Sequence, residues 1–266
     1  MSGEHWYTVD GKAAHSQPTK SKTAKNPNRP TTIKDAKALK LLPSVTSILK
    51  LIHNEPLQRW KYRKVVEACF NRPPVGDEEL DGYTDFILNK AFDEADEAAQ
   101  LGTKIHNCIE TLIKGEDTAF DKSIIDYAES AINRVETLGI KVVESEFVTA
   151  NRHYGYAGTT DIAFRANERL TGILDFKSKR TKNDEPVVPS FGHAAQIAAY
   201  YASYWKEQWM ECGFNLAVGY NIYISTTEPG RIEVVKYDSQ TLEKEWEMFE
   251  HACGIWRYKN SYDPRG

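Results

Sequence analysis

The spacing of apolar and polar positions changes once along the chain, from three- and four-residue steps to alternation. In the first part Ser44 is placed to cap a helix through about Ile52, and a second helix runs from Pro56 to about Phe70. Its proline falls in the first turn, where a missing N–H costs nothing. After a loop over 71–81, a long helical stretch is expected from about Tyr83 to Ile113, stopped by Gly115. Another runs from Asp121 to Leu138, stopped by Gly139. From Ile140 the period is two, and Ile140–Ala150, Tyr156–Arg165 and Leu170–Lys179 read as three successive strands. A loop with Pro186 and Pro189 leads to a helix from about Phe191 to Cys212, strands at Phe214–Thr226 and Arg231–Tyr237, and a closing helix from Leu242 to about Tyr258. This order predicts an α/β fold, a mixed central β-sheet flanked by helices, with a helical N-terminal elaboration. The expected division is an arm over 1–42 and one domain over 43–266, with a helical extension at 43–138 and a core at 139–266 plus the helix 83–114.

Composition narrows the class. With 266 residues, 41% hydrophobic and 27% charged, the chain is long enough to bury a core and is neither disordered nor membrane-like in make-up. No run approaches the ~18 apolar residues of a membrane span and no signal peptide opens the chain, so a soluble intracellular protein is expected. The four cysteines, Cys69, Cys108, Cys212 and Cys253, form no CxxC pair, which leaves reduced thiols rather than a zinc ribbon or redox motif. Lys plus Arg is 34 and Asp plus Glu is 38, a net charge of −4 that argues against a general basic coat for nucleic acid. The charge is uneven, however. Residues 12–40 carry Lys12, Lys20, Lys22, Lys25, Arg29, Lys34, Lys37 and Lys40 against Asp35 alone, and read either as a loosely ordered basic arm or as a solvated tail.

The candidate chemistry lies in Gly158-Thr159-Thr160-Asp161 and Asp175-Phe176-Lys177. Asp161 and Asp175 are symmetric about Glu168, so a hairpin turning near Asn167-Glu168 sets them opposite one another, with Cβ atoms about 5 Å apart. Lys177 shares a face with Asp175. Ile162, Phe164, Leu174 and Phe176 mark both strands as core. Two carboxylates side by side there are unfavourable unless a cation neutralises them, and Mg²⁺ or Mn²⁺ does so directly. The plainer reading is an Asp175–Lys177 ion pair with Asp161 as a turn acid. His106 on the long helix adds an imidazole suited to Mn²⁺ as well as Mg²⁺, and Gln196 and Tyr200 share a helix face at i, i+4.

In this order the pieces resemble the PD-(D/E)XK nuclease superfamily, in its RecB-like exonuclease branch. The motifs are G-x-x-x-H from Gly102 to His106, a strand glutamate at Glu146, G-x-x-D at Asp161, D-x-K at Asp175 and Lys177, and Q-x-x-x-Y at Gln196 and Tyr200. The segment Pro43-Ser44-Val45-Thr46-Ser47-Ile48-Leu49 is similar to the opening of the mitochondrial genome maintenance exonuclease and related phage exonucleases. The resemblance implies a restriction-endonuclease-like core in which His106, Asp161, Asp175 and the backbone carbonyl of Phe176 bind one or two Mg²⁺ or Mn²⁺ ions. Lys177 is then the catalytic lysine, Glu146 supports the site, with Glu144 as the competing choice, and Gln196 and Tyr200 hold substrate or the site's surroundings. Leu101 stands where many relatives carry arginine, which removes one phosphate contact. Cys212 and Cys253 stand alone, so no iron–sulfur cluster is expected, and no Walker loop is present, so no nucleotide is expected.

The implied activity is metal-dependent exonucleolytic hydrolysis of DNA, single-stranded or with free ends, in phage-type or organellar-type replication or recombination. If the chain is phage-encoded, it acts in the host cytoplasm. A structure-specific endonuclease with the same site, or a non-catalytic nucleic-acid-binding protein that kept the fold, are the alternatives. No membrane partner is expected. The run Arg59-Trp60-Lys61-Tyr62-Arg63-Lys64, cations interleaved with aromatics, suits single strands, against the plainer reading of a helix with Trp60 buried and its cations solvated.

Overall fold

The computed structural model of the chain describes residues 4–19, 25–52, 54–117 and 119–265. Two compact units emerge, Met1–Ile52 with Glu129–Gly266, and His53–Ala128. The division falls inside the span 43–266 that the sequence reads as one domain.

The first unit opens with β1 (Trp6–Tyr7), followed by β2 (Ser16–Pro18) and β3 (Asn28–Pro30), which pair antiparallel. Next comes α1 (Ile33–Leu39), started by a capping box in which Thr32 Oγ1 accepts from the Asp35 N–H and the Asp35 carboxylate accepts from the Thr32 N–H. Arg29 forks onto the same carboxylate at 2.6 and 2.8 Å and holds its pKa well below the usual range. Over its described residues, then, the segment expected to be a loose basic arm is a hairpin and a capped helix. Asp35, its lone acid, organises the junction, which a charge count hides. Lys20 and Lys22 lie outside the described residues. β4 (Leu42–Pro43) pairs with β1, and α2 (Val45–Leu49) is capped by Ser44, as its sequence predicts.

In the second unit α3 (Glu55–Asn71) starts on the Asn54 cap, and α4 (Leu80–Ile113) begins a turn earlier than expected. The two helices meet at Trp60 and Phe92, whose rings lie 6.2 Å apart, and at Lys64, which reaches Glu67 at 3.4 Å and Glu94 at 3.6 Å. Arg72 pairs with Glu78 across the loop between them, and the Tyr83 hydroxyl donates to the Arg72 carbonyl at 2.9 Å. α5 (Lys122–Thr137) runs through the boundary between the units.

The rest of the first unit is a five-stranded sheet, in spatial order β5 (Lys141–Asn151), β6 (Tyr156–Arg165), β7 (Thr171–Lys179), β8 (Ala217–Ser225) and β9 (Ile232–Tyr237). The pairings are antiparallel except β7 with β8, which is parallel and is joined through α6 (His193–Tyr204) and α7 (Lys206–Cys212). The chain closes with α8 (Ser239–Asn260), and α6 and α8 share the core with Tyr156, Ile173 and Tyr237 of the sheet. Ala195, Ala198, Ala199 and Ala202 keep α6 slim enough for sheet side chains to reach its backbone. The Tyr156 hydroxyl donates to the Ala199 carbonyl at 2.8 Å, and Asn151 donates to the Ala202 carbonyl at 3.3 Å. Trp256 is wholly buried against Trp6 of the N-terminal segment, and full burial of such a side chain contributes about 2–3 kcal/mol.

The single helix expected over Phe191–Cys212 divides at Trp205, which leaves helical geometry with ψ 37°. Its indole N–H donates to the Gly172 carbonyl at 3.1 Å while Arg165 lies 4.9 Å over its ring, a tertiary anchor that holds the break. Among the described residues no helix is long and apolar enough to cross a membrane.

Candidate active site

Three strands converge on the candidate site, and both ladders are interrupted where the acids sit. The β6–β7 register pairs Ile162 with Leu174 and Phe164 with Gly172, the pairing that a turn centred on Glu168 requires. The turn itself is fixed by Asn167, whose Oδ1 accepts from the N–H groups of Arg169 and Leu170 at 2.9 and 2.7 Å. Beyond Ile162 the ladder stops. Asp161 Oδ2 instead accepts the Phe176 N–H at 2.6 Å, so a carboxylate stands in for a strand carbonyl.

On the other side, the pairs Phe147 with Thr160 and Ser145 with Ile162 set Glu146 opposite Asp161. Glu146 has φ of 47°, a left-handed conformation that costs a non-glycine residue about 1–3 kcal/mol. One carboxylate oxygen of Glu146 and one of Asp161 lie within 4.8 Å of each other. Glu144, the competing choice, is engaged elsewhere: it accepts the Tyr204 hydroxyl at 2.9 Å, and burial together with that carboxylate pushes the Tyr204 phenol up to about 12.

Asp175 is 3% exposed, and its Oδ2 takes the Lys177 ammonium at 2.6 Å. The same ammonium donates to Gln196 Oε1 at 3.0 Å, and Gln196 Nε2 donates to the Tyr200 hydroxyl at 3.1 Å. Burial keeps the Tyr200 phenol well above its usual pKa, so it stays protonated. Its ring lies against Gly158, where a Cβ would sit 2.6 Å from Tyr200 Cε1. The glycine of the G-x-x-D motif and the tyrosine of the Q-x-x-x-Y motif are thus two halves of one contact. In this way Asp175, Lys177, Gln196 and Tyr200 form one hydrogen-bonded chain from β7 to α6.

Several polar residues around Asp175 stand outside the motifs. Asn221 Nδ2 donates to Asp175 Oδ2 at 3.1 Å, and the Tyr237 hydroxyl donates to Asn221 Oδ1 at 2.9 Å. His193, the first residue of α6, meets the Tyr223 hydroxyl through Nδ1 at 2.7 Å. Burial, with Lys177 nearby, pulls the His193 imidazole down to about 4. A signal for Asn221 existed in the sequence, since an amide in the apolar run Val218–Ser225 needs a buried partner, but its identity depends on the parallel register.

His106 and the run Arg59–Lys64 belong to the second unit. On α3, Tyr62 and Phe70 are largely exposed, Trp60 is half-exposed, and Arg63 and Lys64 are both engaged by Glu67.

No family model matches this chain, and no curated protein matches it. Among solved structures, a protein called SSO0001 is 15% identical with a TM-score of 0.30, over 74% of this chain and 85% of that one. A protein from Eubacterium rectale described as "Putative exonuclease" is 17% identical with a TM-score of 0.35, over 70% of each chain.

Proposed function

We propose that this chain is a metal-dependent deoxyribonuclease that hydrolyses phosphodiester bonds of single-stranded DNA or DNA ends, as an exonuclease. The observation that carries the reading is the convergence of three separately spaced motifs in one unit: Asp161 bonded to the Phe176 N–H, and Asp175, Lys177, Gln196 and Tyr200 linked in series. The donors Asp161, Asp175 and the Phe176 carbonyl are hard oxygens, supported by Glu146, and that chemistry fits Mg²⁺ or Mn²⁺. A bound divalent ion supplies Lewis acidity toward a phosphoryl oxygen and a more acidic water.

The chain's own residues do the rest. Lys177, held between Asp175 and Gln196, keeps its ammonium at a fixed point beside the carboxylates. There it orients the attacking water and offsets charge as the phosphorane-like oxygens develop. Gln196 and Tyr200 fix the lysine rather than touch the reacting atoms. A strained Glu146 backbone aims its carboxylate toward Asp161. Incubation with end-labelled linear and closed circular single strands, in Mg²⁺, Mn²⁺ or EDTA, tests the activity. Metal-dependent loss of linear strands with circles spared is expected. Cut circles point to an endonuclease, and no cleavage of either substrate in any metal overturns the enzymatic reading in favour of a binding protein.

A further inference from the structure

Asp175 is gripped from a direction that no motif covers. The parallel register of β7 and β8 sets Asp175 beside Asn221, whose side chain is wholly buried. Asn221 Nδ2 donates both to Asp175 Oδ2, at 3.1 Å, and to the Asp175 main-chain oxygen, at 3.2 Å. The amide orientation follows from chemistry, because a carboxylate and a carbonyl only accept and therefore face the NH₂. Asn221 Oδ1 in turn accepts the Tyr237 hydroxyl. Val235 is the ladder partner of Asn221, so Tyr237 reaches it diagonally from two residues along β9. Burial keeps the Tyr237 phenol protonated far above working pH, which makes it a permanent donor. Among the described residues, the side-chain donors to the Asp175 carboxylate are Lys177 Nζ and Asn221 Nδ2, and each falls on Oδ2.

We propose that Asn221, anchored by Tyr237, is a positioning residue that occupies Asp175 Oδ2 and presents Oδ1 as a single-oxygen ligand to the metal. This rests on the reading of Asp175 as a ligand given above. A small, rigidly octahedral ion such as Mg²⁺ or Mn²⁺ makes strict demands on ligand direction, so an amide that fixes the carboxylate rotamer sets affinity without touching the ion.

Calorimetric titration of the full chain with Mn²⁺ tests this. The double variant Asn221→Leu/Tyr237→Phe removes the amide and the hydroxyl together, so neither leaves the other stranded in the core. It is expected to fold, judged by circular dichroism and a cooperative melt, and to bind Mn²⁺ about 10- to 100-fold more weakly than wild type. Wild-type affinity in the folded double variant makes Asn221 a purely structural amide and overturns the proposal. Should that variant fail to fold, Tyr237→Phe alone decides: a loss of about threefold or more supports the proposal, and unchanged affinity overturns it. Asp175→Asn is the separate control. Undiminished Mn²⁺ binding there overturns Asp175 as a ligand, whereas loss of binding there with an unchanged double variant overturns the role of Asn221 alone.

Discussion

A single missing methyl group decides whether Tyr200 can stand where it does. Gly158 has ordinary strand geometry, so its requirement is space rather than backbone freedom, and the space belongs to the Tyr200 ring. Gly158→Ala is expected to cost about 1–3 kcal/mol, the range for overpacking a well-filled core, measured by denaturant unfolding. Unchanged stability would mean that the ring yields freely and that the G-x-x-D glycine has no packing role. The pairing of these two positions was invisible in the sequence, because they lie 42 positions apart, with all of β7 and a long loop between them. The register of β6 on β7 was legible, since a short turn fixes every pair that follows it. The turn could not reveal that the ladder ends at Ile162 and that the Asp161 carboxylate takes over the Phe176 N–H.

At the level of elements, α6 carries the site's second half and a pH-dependent weakness. His193 begins this helix, and its imidazole, depressed by burial, stays neutral in the fold until about pH 4, against an ordinary value of 6.5. Between those values the unfolded chain binds a proton that the folded chain refuses, so stability is full above about pH 6.5 and declines as pH falls toward 4. His193→Gln, which takes up no proton in that window, is expected to flatten this part of the curve of melting temperature against pH. Parallel curves for variant and wild type would show that His193 does not contribute to the decline. The strands and long helices were legible to within a few residues because their periodicity is local. The division of the α6–α7 helix was not, since it depends on an indole reaching the Gly172 carbonyl, and neither was the N-terminal hairpin, built on proline-bearing strands with little alternation.

Across the whole molecule, a net charge of −4 is an average over unlike parts. Nine acids and one lysine lie between Asp77 and Glu97, whereas the first half of α3 is basic. There Arg63 and Lys64 are occupied by glutamates, while among the described residues Arg59 and Lys61 make no ion pair. If α3 carries the DNA strand, Arg59→Gln/Lys61→Gln should weaken single-strand binding and reduce the slope of log affinity against log salt by about 1–2. Binding that ignores salt, or a slope unchanged in the variant, would remove α3 from the substrate path.

The proposed activity turns on one set of side chains, and a single assay addresses it. Release of label from end-labelled single-stranded DNA is followed for the wild type, Asp161→Asn and Lys177→Met, each with Mg²⁺ and with EDTA. The expected result is release by the wild type in Mg²⁺ alone, with each variant slower by at least about 100-fold while retaining a cooperative melt. Wild-type release in EDTA, or undiminished release by either variant, would contradict the assignment of the reaction to this site.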